Sequence, residues 1–467
     1  MLRNERKYLQ FNYILIAIAL SFSMLLLFID TLKVAEFLGV LIFIVSLIIV
    51  CRQYGVFSIP TFFIVLSYLF HCSQFFLDLF SVKYNVAFDI IKTIGDQGSI
   101  ATIKFFSFSI VFLTLGFIFV KTNRRVCAKR KLNSKQIITL GKVFCVCFFI
   151  PRFYIDIISL LTFFKSGYEA TYFVVSAGLM DIVAYGFYIG VILLIVGYKE
   201  SIRRSKRITI LFLIYLMITM ICGKRMVQAS ILLVVILIYL KYVRKIKLKV
   251  KSVLGIIVLA YVIFAMIATF GDLRYNIDPS LGIYISTFFE NIFGKMIAGQ
   301  IAEFGDTGIS LAYAIKYFGN DVPYNYGMTY LNSWFQIFPN INGSLEKLFG
   351  ADFAFVKALP PIEHNNFGCS FLGELYYNFG IFGSVICLIT GCIIGKSTYC
   401  IEDAFNNGFT IKTLIILFLL PTLLSYVRGS FSDFIRLGVW FGILLYVLKM
   451  ILYRVKKELS EEKLRIL

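Results

Sequence analysis

Charged residues are scarce in this sequence of 467 residues: Asp, Glu, Lys and Arg together make up 15%. Soluble globular proteins average about 25%, so the composition excludes an ordinary water-soluble domain. Cofactor motifs are missing as well, because no cysteine and histidine cluster has zinc-site spacing and neither a P-loop nor a Rossmann glycine fingerprint is present. Any group transfer must therefore draw its energy from an activated substrate rather than from a bound nucleotide.

Long apolar runs dominate the remaining sequence. Hydrophobic residues make up 59% of the chain, and the runs are continuous over about 20 residues, the length that a membrane-spanning helix needs. A β-barrel would show alternating polarity instead. The sequence predicts an all-α polytopic membrane protein with about 12 transmembrane helices, at 10–29, 34–51, 56–80, 101–120, 137–158, 178–197, 208–223, 226–242, 253–270, 372–395, 410–427 and 433–453.

The net charge of +20 is concentrated in short connectors between these runs. The most basic connectors, at 121–135, 199–207 and 241–251, are separated by connectors with few cations. Cytoplasmic loops of membrane proteins are enriched in Lys and Arg. The pattern predicts that both termini are cytoplasmic, and it argues against a nucleic-acid-binding face, which would gather the cations on one folded surface.

One connector is much longer than the others: residues 271–371 link the ninth and tenth predicted spans, and the predicted topology places them on the outer side of the membrane. Its segment 281–301 mixes apolar and polar residues, which predicts short interfacial helices. Connectors of this length in compact proteins are usually functional. The chain is thus predicted to consist of helices one to nine in 1–270, a large periplasmic or extracellular loop in 271–371, helices ten to twelve in 372–453, and a cytoplasmic tail in 454–467.

Four arginines stand at span ends that this topology places on the outer side. The guanidinium fork fits phosphate oxygens and keeps its charge when partly desolvated. Together these side chains would suit a lipid-linked diphosphate, whereas each one alone is also explained as a snorkelling anchor or an ion-pair partner. They are Arg225, Arg274, Arg428 and Arg436.

A second candidate group lies where the large connector ends. His364 is one of only two histidines, and Glu374 follows it at the start of the tenth predicted span. Either side chain has the chemistry of a general base that takes a proton from a sugar hydroxyl. The alternatives are a loop histidine without a role and a carboxylate that accepts hydrogen bonds near a helix start.

Polar residues inside other spans have simpler explanations. Arg152 and Asp156 are four residues apart in the fifth predicted span, which predicts an ion pair along one helix face. His71, inside the third span, is expected to be a hydrogen-bonded packing residue rather than a ligand.

The segment 370–380, Ser-Phe-Leu-Gly-Glu-Leu-Tyr-Tyr-Asn-Phe-Gly, resembles bacterial oligosaccharide repeat-unit polymerases, the O-antigen polymerase (Wzy) family. Gly383 after this segment extends the similarity. The turn Gly223-Lys224-Arg225 and the segment Val427-Arg428-Gly429-Ser430 are similar to outward arginine motifs of that family. The layout of many spans around one large, late outer loop is also similar.

The resemblance implies a GT-C-like integral-membrane glycosyltransferase of the bacterial inner membrane that uses no nucleotide sugar. The sequence departs from the expected pattern in lacking a clear Asp-rich metal motif, which predicts that neither a metal nor another cofactor is required. The enzyme would polymerise undecaprenyl-diphosphate-linked oligosaccharides on the outer face, with a chain-length regulator and a flippase as pathway partners. The four arginines would bind the diphosphates, and Glu374 or His364 would activate the acceptor hydroxyl. The implied sugar contacts are Tyr330, Trp334, Tyr377 and Asn378.

Three other classes of protein compete with this interpretation. An O-antigen ligase shares the membrane layout and the large late loop, so it is the nearest alternative. A lipid-linked oligosaccharide flippase would be expected to have short loops on both sides and charges deep in the bundle. A structural or sensory protein would not need four outward arginines beside a carboxylate. The sugars, their linkage and the stereochemical outcome do not follow from these residues.

Overall fold

The computed structural model is helical and contains no β-strand among the residues that it describes. Those residues are 2–84, 86, 88–120, 131–174, 179–220, 226–245, 255, 258, 261–262, 265–266, 268–269, 272–273, 280–293, 296–338, 358–359 and 368–466.

Fifteen α-helices lie in this described part and are numbered here in chain order. They are α1 (Leu2–Leu27), α2 (Leu32–Tyr54), α3 (Ile59–Leu79), α4 (Ile90–Phe119), α5 (Ser134–Val174), α6 (Leu179–Gly197), α7 (Ile202–Met220), α8 (Met226–Ile238), α9 (Leu281–Phe293), α10 (Met296–Tyr317), α11 (Met328–Phe335), α12 (Phe371–Phe379), α13 (Gly383–Asn407), α14 (Ile411–Ser425) and α15 (Ser432–Ile466). A π-helical turn, Tyr239–Val243, continues α8.

The prediction of an all-α polytopic membrane protein is confirmed. Ten helical segments in the described residues are long and apolar enough to cross a membrane. They correspond to ten of the twelve predicted spans. The last residues of the predicted span at 208–223 and most of the predicted span at 253–270 lie outside the described residues. The count of twelve spans therefore stays a prediction.

The chain divides into two compact units, each built from segments distant in sequence. The first unit comprises Met1–Arg125, Glu290–Cys400 and Thr422–Phe434, and the second comprises Val126–Phe289, Ile401–Pro421 and Ile435–Leu467.

Glycine allows two helices of the first unit to pack with their backbones in contact. A Cβ atom on Gly116 of α4 would collide with the Leu388 carbonyl of α13, and one on Gly391 would collide with the Leu113 carbonyl. Small residues at helix crossings let backbones approach closely, which replaces the hydrophobic driving force that a bilayer does not provide. The crossing therefore fixes α4 against α13, the helix that follows the candidate site.

Helix α10, which lies in the predicted outer loop, packs against α3 and α4 of the first unit. A Cβ atom at Gly308 would meet the His71 carbonyl oxygen of α3 at 2.6 Å, so the two backbones are in direct contact there. The Ser73 hydroxyl donates to the Ile301 carbonyl at 2.6 Å. The segment 281–301, predicted to form short interfacial helices, contains α9 and the start of α10. The outer position of the loop stays a prediction.

In the second unit, α5 packs along α6 and carries the buried pair Arg152 and Asp156. The Arg152 Nε donates to Asp156 Oδ2 at 2.8 Å, which confirms the ion pair predicted from their spacing. The Tyr215 hydroxyl of α7 also donates to Asp156, and the Arg152 guanidinium lies 4.9 Å from the Tyr188 ring centroid. A polar cluster thus joins α5, α6 and α7.

Candidate functional site

The site begins at the N-terminus of α12, which is fixed by a chain of hydrogen bonds to α3. The Ser370 Oγ accepts from the Gly373 N–H at 3.1 Å and so caps the helix. On the other side, His71 Nδ1 lies 2.8 Å from the Ser67 carbonyl oxygen. Because a carbonyl only accepts, Nδ1 carries the proton, and Nε2 accepts from the Ser370 hydroxyl at 2.7 Å. His71 is a hydrogen-bonded packing histidine, as expected, and it also orients the start of α12.

Glu374 lies on the first turn of α12 with only 1% of its surface exposed. Its Oε1 accepts a hydrogen bond from the Thr329 hydroxyl of α11 at 3.1 Å. Its Oε2 accepts from the Phe431 N–H, just before α15, at 3.0 Å. A buried carboxylate is stable only when its oxygens are satisfied, and here one donor reaches each oxygen from a different element. The carboxylate therefore has a fixed orientation.

Asn378, one helical turn after Glu374, holds the Thr329 hydroxyl in place. Its Nδ2 donates to Thr329 Oγ1 and to the Glu374 carbonyl oxygen, both at 2.7 Å. The Thr329 hydroxyl thus accepts a hydrogen bond from Asn378 and donates one to Glu374. Linked hydrogen bonds of this kind polarise one another and restrict rotation. Asn378 is fully buried, so in this conformation its side-chain amide is occupied in orienting Thr329 and the first turn of α12.

Aromatic rings close the site around α11. The Tyr330 ring stacks on Phe379 with centroids 6.0 Å apart and meets Phe431 edge-on at 5.1 Å. Burial raises the pKa of Tyr330 well above its usual value, and Tyr426 and Glu374 raise it further. Trp334, on the same short helix, is 53% exposed, which leaves its ring available for an external contact.

Arg428 approaches the site from the turn before α15. A Cβ atom at Gly368 would meet the Arg428 Nε at 2.7 Å, so the guanidinium rests directly on the Gly368 backbone. The next residue, Cys369, is in electrostatic reach of three site groups. The pKa of its thiol is raised to about 12, mainly by burial and further by the charges of Asp433 and Glu374, while the charge of Arg428 acts in the opposite direction. The arginine and the buried carboxylate therefore lie in one neighbourhood.

The structure thus brings together several residues that the sequence singled out. Glu374, Tyr330 and Asn378 share one hydrogen-bonded and aromatic cluster, with Arg428 close by, and Tyr377 packs 4.2 Å from Phe318, centroid to centroid. Arg436 lies on α15 in the second unit. The other three candidates lie outside the described residues: Arg225, Arg274 and His364.

Sequence reasoning missed Thr329 and Phe431, which hold the carboxylate, and it did not connect His71 with Ser370. One signal was available, since Ser370 stands three residues before Gly373 at a predicted helix start, the spacing of a capping residue. Across the described part of the chain, no group of three or more His, Cys, Asp and Glu residues is arranged to hold a metal ion.

Comparison with known proteins gives one family match. The family model described as O-antigen polysaccharide polymerase Wzy matches residues 10–458, nearly the whole chain. Searches of the curated proteins and of the solved structures find no match.

Proposed function

Because the chain belongs to the Wzy family of O-antigen polysaccharide polymerases, we propose that it joins undecaprenyl-diphosphate-linked repeat units on the outer face of the bacterial inner membrane. Family membership supports a polymerase that acts on lipid-linked oligosaccharide, and a multi-pass membrane protein is supported by the ten helices of the described part that are long and apolar enough to cross a membrane. The identity of the carrier and the side of the membrane are part of the proposal. Both termini would then be cytoplasmic, and a flippase and a chain-length regulator would act in the same pathway.

The proposed reaction is a glycosyl transfer. A hydroxyl oxygen on the new repeat unit attacks the anomeric carbon of the growing glycan, and the bond from that carbon to the diphosphate oxygen breaks. The hydroxyl proton passes to a base on the protein, and undecaprenyl diphosphate leaves with the bonding electrons. No nucleotide is required, because the diphosphate ester itself is the activated group.

The observation that carries the proposal is the environment of Glu374. It is an ionisable residue in a predicted spanning segment, and such residues mark functional sites by default because they are costly to bury. Among the residues that the structure describes, its oxygens are held by a hydroxyl and a backbone N–H rather than by a cation. The carboxylate is enclosed in this conformation, so the proposal includes an opening of the site through which the acceptor hydroxyl reaches it. The preorganised carboxylate would then take the acceptor proton, with His364 as the alternative base.

The remaining residues divide by chemistry. Four arginines are proposed, from their residue type and predicted outward position, to bind the diphosphates and to stabilise the charge that develops as the carrier leaves: Arg225, Arg274, Arg428 and Arg436. The exposed Trp334 is the best placed of the sugar-contact candidates, whereas Tyr330 and Tyr377 would shape the site. We assign the fully buried Asn378 to positioning of Thr329 and Glu374.

A strain that lacks the chain tests the reaction class. Loss of the polysaccharide ladder, with single repeat units still transferred to their final acceptor, is the expected result. Long glycans stranded on the carrier lipid would indicate a ligase, and single units trapped on the cytoplasmic face would indicate a flippase. Either of these two profiles would overturn the proposal, as would an unchanged ladder.

A further inference from the structure

A groove of about 600 Å³ lies in the second unit between α7 and α8, and neither Glu374 nor its hydrogen-bond partners line it. Its wall is almost entirely aliphatic. Volumes between about 300 and 1,000 Å³ are typical of sites for drug-sized ligands. The aliphatic contribution comes from side chains such as Leu213, Met217, Leu232 and Ile236.

One end of this groove is cationic. Lys206 lies near the start of α7, and Arg244 follows the π-helical turn that continues α8; both line the groove. Helices α7 and α8 pack side by side and only five residues separate them in the chain, so they run in opposite directions. The start of α7 and the turn that continues α8 therefore lie at the same end of the groove. Both cations belong to connectors that the charge distribution predicts to be cytoplasmic.

Thr209 adds an unsatisfied hydroxyl to this wall, enclosed by the protein in the present side-chain conformation. It lines the groove one helical turn after Lys206, it is 3% exposed, and its hydroxyl has no hydrogen-bond partner among the described residues. A helical threonine ordinarily donates to the carbonyl four residues earlier. Four other buried threonines do so, whereas Thr307 of α10 also lacks a partner among the described residues; the four are Thr102, Thr114, Thr269 and Thr398.

We propose that this groove binds one anionic phospholipid of the bilayer. An acyl chain lies along the aliphatic wall and the phosphate sits between Lys206 and Arg244. Rotation of the Thr209 side chain about its Cα–Cβ bond then lets its hydroxyl donate to a phosphate or ester oxygen. Basic pockets between transmembrane helices on the cytoplasmic side bind acidic lipid headgroups in this manner. The groove uses none of the residues assigned to the polymerase reaction.

Native mass spectrometry of the full chain in detergent tests the proposal, with phosphatidylglycerol and phosphatidylcholine of identical acyl chains as probes. Phosphatidylglycerol is expected to bind more tightly. The double variant Lys206→Ala/Arg244→Ala should remove that preference. The nearly isosteric Thr209→Val should weaken phosphatidylglycerol binding about tenfold, the effect of one hydrogen bond to a charged group.

The matched control is Arg203→Ala/Arg207→Ala, which removes two exposed cations from the same helix that do not line the groove. This control should keep the preference for phosphatidylglycerol. Equal binding of the two lipids would overturn the proposal, as would an equal loss in the control variant, since bulk charge would then explain the effect. Displacement of phosphatidylglycerol by equimolar undecaprenyl phosphate would assign the groove to the carrier lipid instead.

Discussion

Asp156 in the second unit and Glu374 in the first are both buried carboxylates, but they are held by different kinds of donor. Asp156 pairs with Arg152 on its own helix, four residues away. Glu374 is held by the Thr329 hydroxyl and the Phe431 N–H, which are 45 and 57 residues away in sequence. Among the described residues, no cation lies within ion-pair distance of Glu374.

This difference separates a structural carboxylate from a candidate for chemistry. An ion pair within one helix neutralises its own charge, so it can be kept for packing alone. A carboxylate held by neutral donors keeps its charge available, and its cost must be offset by something else, which in a membrane protein is usually function. Changes around Glu374 are therefore expected to lower activity, and changes at the Arg152–Asp156 pair are expected to lower stability.

The largest effect is expected for Glu374→Gln, which removes the charge while keeping the side-chain shape. If Glu374 is the base, polymer yield should fall by about 10²- to 10⁴-fold, the contribution typical of general base catalysis. The measurement is the polysaccharide ladder of a complemented deletion strain, normalised to membrane-inserted protein. Glu374→Asp, which keeps a carboxylate, is the control and should retain more activity. A normal ladder from the Gln variant would remove Glu374 from the chemistry.

The counterpart in the second unit is Asp156→Asn. It leaves the Arg152 guanidinium buried without its carboxylate, which should lower the free energy of unfolding by about 3–5 kcal/mol. Thermal unfolding of the detergent-purified protein measures this loss. The apolar double variant Arg152→Met/Asp156→Leu should recover most of it. If the double variant were as unstable as the single one, the cluster would contribute more than a paired charge.

A smaller effect is expected for Ser370→Ala, which removes the cap of α12 and the donor to His71. The lost cap should cost about 1 kcal/mol of stability. Ser58→Ala is the matched control, because Ser58 caps α3 through the Thr61 N–H and does not contact the site. Both variants should lose similar stability, but only Ser370→Ala should also reduce polymer yield per folded molecule. Equal activities would mean that the His71–Ser370 link serves folding alone.

The smallest effect is expected for Gly368→Ala, since the new methyl group would displace the Arg428 guanidinium by a small distance. Polymer yield should fall by less than about tenfold, a barrier change below about 1.4 kcal/mol, and less than in Arg428→Ala. Gly299→Ala on α10 is the control, because nothing lies within 4 Å of its added Cβ atom. An equal response in both glycine variants would separate Arg428 from the effect.

Local patterns predicted the spanning helices and the Arg152–Asp156 pair, because hydropathy and a spacing of four residues are properties of one helix. The start of α12 was placed within one residue for the same reason. The partners of Glu374 could not be predicted, since Thr329 and Phe431 are brought to it by tertiary packing, and a backbone N–H has no sequence signature. The packing of α10 against α3 was hidden in the same way, because it depends on which faces meet.

The close contact between α10 and α3 also has a practical consequence for mapping which parts of the chain face which side of the membrane. Residues 296–317 would be treated as an accessible loop by hydropathy plots, yet Ala302, Ile309 and Ala312 are buried in the first unit. Cysteine-labelling reagents should fail to reach these positions from either side. A reporter domain inserted there would disrupt the protein rather than report its topology, so labels belong at exposed neighbours such as Tyr326.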